Sequence, residues 1–181
     1  MGKGANFSSP LRVDGVTVVD ESGNIIGPIS ATAGSIGSTE LADNTIKTAT
    51  VTLTAAEIVG TAAGDIGHAG GAVLVAAPGA GKILEFVSAV LSYDYATAAY
   101  TGGGDDLVIR QGTTAVSAPI AKADLLCDTE DDIAYVNALS AADIKLTANS
   151  TINIFAGTAY TQPGTAAGTL KVHVMYRVHS A

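Results

Sequence analysis

The residues of this 181-residue chain that could do chemistry fall in a few short stretches. The most suggestive is Pro78-Gly79-Ala80-Gly81-Lys82, which sets a Gly-Lys pair directly before a long apolar run, Ile83–Tyr95. A phosphate-cradling loop needs Gly-x-x-x-x-Gly-Lys-Ser/Thr, because the first glycine turns the chain and the final hydroxyl holds magnesium. Here Ala76 occupies the first glycine's place and Ile83 that of the hydroxyl. Both working ends are missing, so the stretch reads as a turn.

The stretch Cys127–Asp132 (CDTEDD) packs Asp128, Glu130, Asp131 and Asp132 together, and Asp105 and Asp106 follow three glycines. Calcium takes carboxylate and carbonyl oxygens, but neither run has the spacing of an EF-hand loop. Charge runs of this kind read as solvated turns. His173 and His179 share one strand face at a spacing too wide for a single ion, and His68 lies far from both. Cys127 is the only cysteine, which excludes an intrachain disulfide and leaves a small buried hydrophobe. Tyr93, Tyr95 and Tyr100 could stack on a sugar or serve a subunit contact. The residues therefore predict no enzyme, no cofactor and no metal.

Composition narrows the partners. Net charge is −8, with nine basic residues scattered from Lys3 to Arg177. Binding to a phosphate backbone needs clustered Lys and Arg, so no nucleic-acid partner is expected. Ala69–Gly81, the most apolar stretch, is interrupted by Gly and Pro and falls short of the ~20 residues that span a bilayer, so no membrane partner is expected either. The polar start, MGKGAN, leads into no apolar region of a signal peptide. Hydrophobic residues make up 48%, but aromatics only 5%, and much of the rest is Ala beside 21 Gly. Small side chains bury little area each, so a thin Ala-rich core is expected, with partner subunits supplying further burial.

The elements that must position these residues are mostly strands. In residues 1–46, Val16–Val19 and Ile25–Ile26 flank Glu21–Asn24 and read as a small β-hairpin, followed by a polar connector. From Lys47 onward, 48–54, 71–77, 106–111 and 150–156 read as short strands, and Thr54-Ala55-Ala56-Glu57 fits a capping box opening one helical turn. The clearest strand is 168–179. Leu170, Val172, Val174, Tyr176 and Val178 face one way, while Lys171, His173, Met175, Arg177 and His179 face the other. Ile83–Tyr95, read as a strand, carries Ile83, Val87, Leu91 and Tyr93 on one face and Leu84, Phe86 and Val90 on the other. A strand apolar on both faces needs explaining in a sandwich, and a subunit interface through Ile83, Phe86, Val87, Tyr93 and Tyr95 is the expectation. The fold class is all-β: an antiparallel, jelly-roll-like β-sandwich over 47–181, with an extended N-terminal arm over 1–46.

The stretch 77–112 (APGAGKILEFVSAVLSYDYATAAYTGGGDDLVIRQG) and the closing 168–178 (GTLKVHVMYRV) resemble the head decoration, cement or head-fibre proteins of tailed bacteriophages. The connector 38–52 (STELADNTIKTATVT) is similar to linkers of trimeric phage fibres. The resemblance implies a homotrimer on the outer capsid surface of a virion, with the major capsid protein as partner, and it carries over no active site. An arm that orders on binding needs apolar anchors, and Phe7, Leu11, Val13, Ile25 and Ile26 are the candidates. The alternative is a receptor- or glycan-binding sandwich module of a tail or fibre, acting through the Tyr93–Tyr100 loop.

Overall fold

Among the described residues, β-branched and alternating segments become strands and Gly-rich segments become the joints between them. The computed structural model describes residues 11–13, 16–19, 43–102, 105–140, 144–161 and 168–181. The chain divides into two units, Met1–Glu40 and Leu41–Ala181. In the first, β1 (Leu11–Val13) pairs antiparallel with β2 (Val16–Val19). Val16–Val19 thus pairs with the upstream segment, while the expected pairing with Ile25–Ile26 falls outside the described residues. Asp-Gly between two apolar runs is a strong hairpin signal. Phe7, Ile25 and Ile26 lie outside the described residues, while Leu11 and Val13 fall on β1.

The second unit is all-β and antiparallel. It runs β3 (Lys47–Leu53), α1 (Ala55–Val59), β4 (Ala72–Val75), β5 (Lys82–Asp94) and β6 (Thr101–Gly102), then β7 (Val108–Gln111), β8 (Thr114–Ala115) and β9 (Asp132–Asn137). It closes with β10 (Ile152–Phe155), β11 (Tyr160–Thr161) and β12 (Thr169–Ser180). One four-stranded sheet has the order β3-β12-β5-β9 and the other β4-β10-β7-β8, while β6 and β11 form a small ribbon. The capping box at α1 is present: the Thr54 hydroxyl accepts from the Glu57 amide, and the Glu57 carboxylate accepts from the Thr54 amide at 2.7 Å.

Both sheets turn their apolar faces into one core. Leu170, Val172, Val174, Tyr176 and Val178 of β12 all point inward, as the period-2 pattern predicts. They meet Leu74, Ile109, Ile152 and Ile154 of the opposite sheet in a single cluster. Alanine supplies only Ala72, Ala89 and Ala156 of the core among the described residues. The expected Ala-rich core is therefore corrected: Leu, Ile, Val and Tyr fill it, and the abundant alanines lie mainly elsewhere. Buried Gln111 is satisfied from the side, donating to the Thr147 carbonyl and accepting from the Thr147 amide at 2.9 Å.

The doubly apolar strand has a local explanation. Met175 pairs with Ser88 but Tyr176 pairs with Phe86, so Val87 is an extra residue on β5. A bulge of one residue shifts the side-chain phase by one. Leu84 and Phe86 before it, and Ala89, Leu91 and Tyr93 after it, consequently all face the same core. The outward face of this sheet is built in cross-strand rows. One reads Thr52, Lys171, Ser92, Ile133; the next Thr50, His173, Val90, Tyr135; the third Thr48, Met175, Ser88, Asn137.

Candidate functional site

The Gly-Lys turn joins β4 to β5, and a strand, not a helix, follows it. Gly79 and Gly81 take positive φ of 99° and 72°, the conformation for which glycine is suited. The Gly79 amide donates to Asn149 Oδ1 at 3.0 Å, and the Lys82 amide to the Gly79 carbonyl at 3.3 Å. Lys82 Nζ lies 3.3 Å from Asp43 Oδ1. Two of its amides and its lysine are thus engaged within the fold, as a structural turn requires.

The acidic run occupies the loop between the short 3₁₀ turn Lys122–Asp124 and β9. Its carboxylates shape backbone. Asp131 accepts from the Tyr95 amide at 2.9 Å and Asp128 from the Thr129 amide at 2.6 Å, and Asp106 of the other acidic stretch accepts from the Lys122 amide at 3.1 Å. Asp132 is pushed above the usual carboxylate range, first by burial, then by Asp128, which shares a hydrogen bond with it, and by Asp124 and Asp131. One Asp132 oxygen is buried without a partner. Together with Asp94, Asp131, Ile133 and Lys171 it lines a cleft of about 370 Å³. Among the described residues no three His, Cys, Asp or Glu side chains come together to hold a metal ion.

The histidines are placed apart. His68 Nδ1 accepts from the Gly70 amide at 3.0 Å, and His173 Nδ1 lies 2.9 Å from the Thr50 hydroxyl. His179 Nε2 lies 2.7 Å from Glu85 Oε2, which also faces Arg177 Nη1 at 3.3 Å. Half-buried Cys127 has its thiol pushed up by burial, against the opposing pull of Lys122. A thiol held protonated is a poor nucleophile.

The tyrosines form a cluster at one end of the sandwich. Tyr93 packs edge-on to Tyr95, with centroids 6.4 Å apart, and tilted against Tyr100 at 6.1 Å. Tyr100 donates its hydroxyl to the Gly168 carbonyl at 2.6 Å, and Tyr160 to the Asp105 carbonyl at 3.3 Å. Burial pushes the Tyr93 and Tyr100 hydroxyls up to about 12, and Tyr160 upward as well. Tyr93 and Tyr100 are thus spent inside the core, and Tyr95 is the partly exposed ring of the Tyr93–Tyr100 loop.

The same burial takes Phe86 and Tyr93 out of the expected subunit interface. Phe86 is 3% exposed and Tyr93 1%, both within their own chain, whereas Ile83, Val87 and Tyr95 are only partly buried. Among the described residues the two most exposed large apolar side chains lie instead on β9, which the sequence reading passed over: Ile133 is 74% exposed and Tyr135 65%, ahead of Ile46 and Val73. The alternation Ile133, Ala134, Tyr135, Val136 was the available signal, masked by the carboxylates before it. Comparison of the chain with family models, with curated proteins and with solved structures gives no match.

Proposed function

We propose that this protein is a structural virion component, a homotrimer that binds the major capsid protein on the outer face of a phage head and decorates or stabilises it. The observation that carries the reading is the strand order. Counting the strands of the two large sheets along the chain, one sheet is first-eighth-third-sixth and the other second-seventh-fourth-fifth. We read that order as a jelly roll, a double-sheet architecture of capsid and lectin domains. Within it, the two stretches that resemble phage decoration proteins supply β5 and β12, the paired central strands. The resemblance therefore lies in the scaffold.

A glycan-binding role through the Tyr93–Tyr100 loop is the weaker reading, since two of its three aromatic side chains are buried. Copy number separates the two. Quantitative mass spectrometry of purified virions should find the protein at hundreds of copies per head, and on intact heads it should be open to antibody. A handful of copies, located on the tail, would overturn the decoration reading.

A further inference from the structure

The outward face of the β3-β12-β5-β9 sheet is unlike the rest of this acidic chain. The protein carries 17 acidic against 9 basic residues, yet the three cross-strand rows of this face hold no carboxylate and a single lysine, Lys171; Asp94 and Asp131 border the rows at one end, and Glu85, paired with Arg177 and His179, at the other. Ile133 and Tyr135 stand exposed on β9, Val90 lies directly opposite Tyr135 on β5, and Met175, 36% exposed, lies on β12. The remainder is Ser, Thr, Asn and one His, all short and neutral or nearly so. The strand at this border lacks several of the usual guards, with Ser117 bridging Ala138 just past its end. Edge strands are ordinarily blunted by Lys, Pro or a bulge, and β9 has neither Lys nor Pro and pairs with β5 without a register shift.

We propose that this face is the contact surface for a second copy of the same chain. Charge points to that occupant. Two copies at net −8 repel over most of their surfaces, and they approach most easily where neither presents a carboxylate. Around a three-fold axis, three such flat faces can turn inward so that each meets the other two. Four strands ~4.8 Å apart and three rows ~6.8 Å apart give a patch of roughly 400 Å². A stable interface uses about 800 Å² per partner. The contact therefore extends past β9 onto Pro119 and Leu139, which line a cleft of about 360 Å³ beside Tyr135. The inference rests on the homotrimer reading and names its surface.

The test is the molar mass of the full chain by light scattering, with and without the paired substitution Ile133→Asp and Tyr135→Asp. The parent protein is expected as a trimer and the variant as a monomer with unchanged circular dichroism. Val73→Asp, on the outward face of the other sheet, should stay trimeric. A monomeric parent would overturn the trimer reading and this inference with it. A trimeric parent and a trimeric variant would overturn the inference alone, as would dissociation of the Val73→Asp control. Should the paired variant fail to fold, Met175 of the parent decides. It is the only methionine besides Met1, and in the assembled protein it should be oxidised by peroxide at least tenfold more slowly than free methionine amide. A smaller protection would overturn the proposal. So would a variant that keeps its trimer but loses binding to capsids, since the face would then belong to the capsid contact.

Discussion

The Tyr100 hydroxyl donates to the Gly168 carbonyl oxygen at 2.6 Å, tying the segment before β6 to the start of β12. Next to it, the equally buried Tyr93 hydroxyl has no hydrogen-bond partner. The two tyrosines should therefore respond oppositely to loss of the oxygen. Tyr100→Phe removes a buried bond and orphans a carbonyl, which costs about 1–2 kcal/mol. Tyr93→Phe removes a hydroxyl that gains nothing from burial, and is expected to be neutral or stabilising by up to about 1 kcal/mol. Urea midpoints of the two variants check this, and a larger loss for Tyr93→Phe than for Tyr100→Phe would contradict it.

The same cluster predicts a loss of stability in alkali. An unfolded tyrosine titrates near ~10. Burial holds the Tyr93 and Tyr100 protons in the folded state up to about 12, with Tyr95, Cys127, Asp131 and Asp94 adding to the effect at Tyr93. Between those values the unfolded chain has released protons that the folded chain still binds, so stability falls as pH rises. Below pH ~10 the contribution is fully present. Midpoints measured from pH 8 to 11.5 in a Cys127→Ser background should be level up to about pH 10 and then drop, less steeply in Tyr93→Phe. The Cys127→Ser background is needed because the thiol is also pushed up by burial. A parent curve flat to pH 11.5 would contradict the account.

Val87 supplies a test of how β5 keeps one apolar face. Deleting it removes the extra residue, so plain alternation then carries Leu84 and Phe86 into step with Ala89, Leu91 and Tyr93 with no bulge needed. The deletion variant should therefore fold cooperatively and keep Phe86 opposite Tyr176 and Ser88 opposite Met175. Val87→Ala keeps the residue count and should cost about 1 kcal/mol or less. Loss of cooperative folding in the deletion variant, read from its urea curve, would show that Val87 is more than an extra residue in the register.

That bulge also marks where the sequence stops being legible. Strand β12 could be read because it has one wet face, so polar and apolar residues alternate from Leu170 to Val178. α1 could be read because Thr54 and Glu57 satisfy each other locally. Strand β5 was recognisable as a strand but misread in its faces: an alternation argument carries its phase across Val87, and only pairing with β12 reveals the extra residue. Strand β9 was hidden by Asp128–Asp132, whose carboxylates read as a turn and drew attention from Ile133 and Tyr135. The burial of Tyr100 depends on Gly168, distant in sequence, and no local pattern announces it. Strand type is local, whereas faces and interfaces depend on what pairs with what.

The N-terminal boundary sets the last prediction. The sequence places the arm at residues 1–46, but the second unit begins at Leu41. Asp43 faces Lys82 at 3.3 Å, and the Asn44 amide donates to the Val178 carbonyl at 2.8 Å. A cut at 46 would sever both contacts, while a cut at 40 keeps the unit with its whole core. Deleting residues 1–40 should therefore leave a folded, trimeric sandwich by light scattering and circular dichroism. If the arm grips the capsid through Phe7, Leu11, Val13, Ile25 and Ile26, the same truncation should bind undecorated heads at least tenfold more weakly, a loss of about 1.4 kcal/mol. Replacing Ile25 and Ile26 together by Ser in the full chain should reproduce part of that loss with no change in oligomeric state. Undiminished binding by the truncated protein would move the docking surface onto the sandwich and remove the arm from the capsid contact.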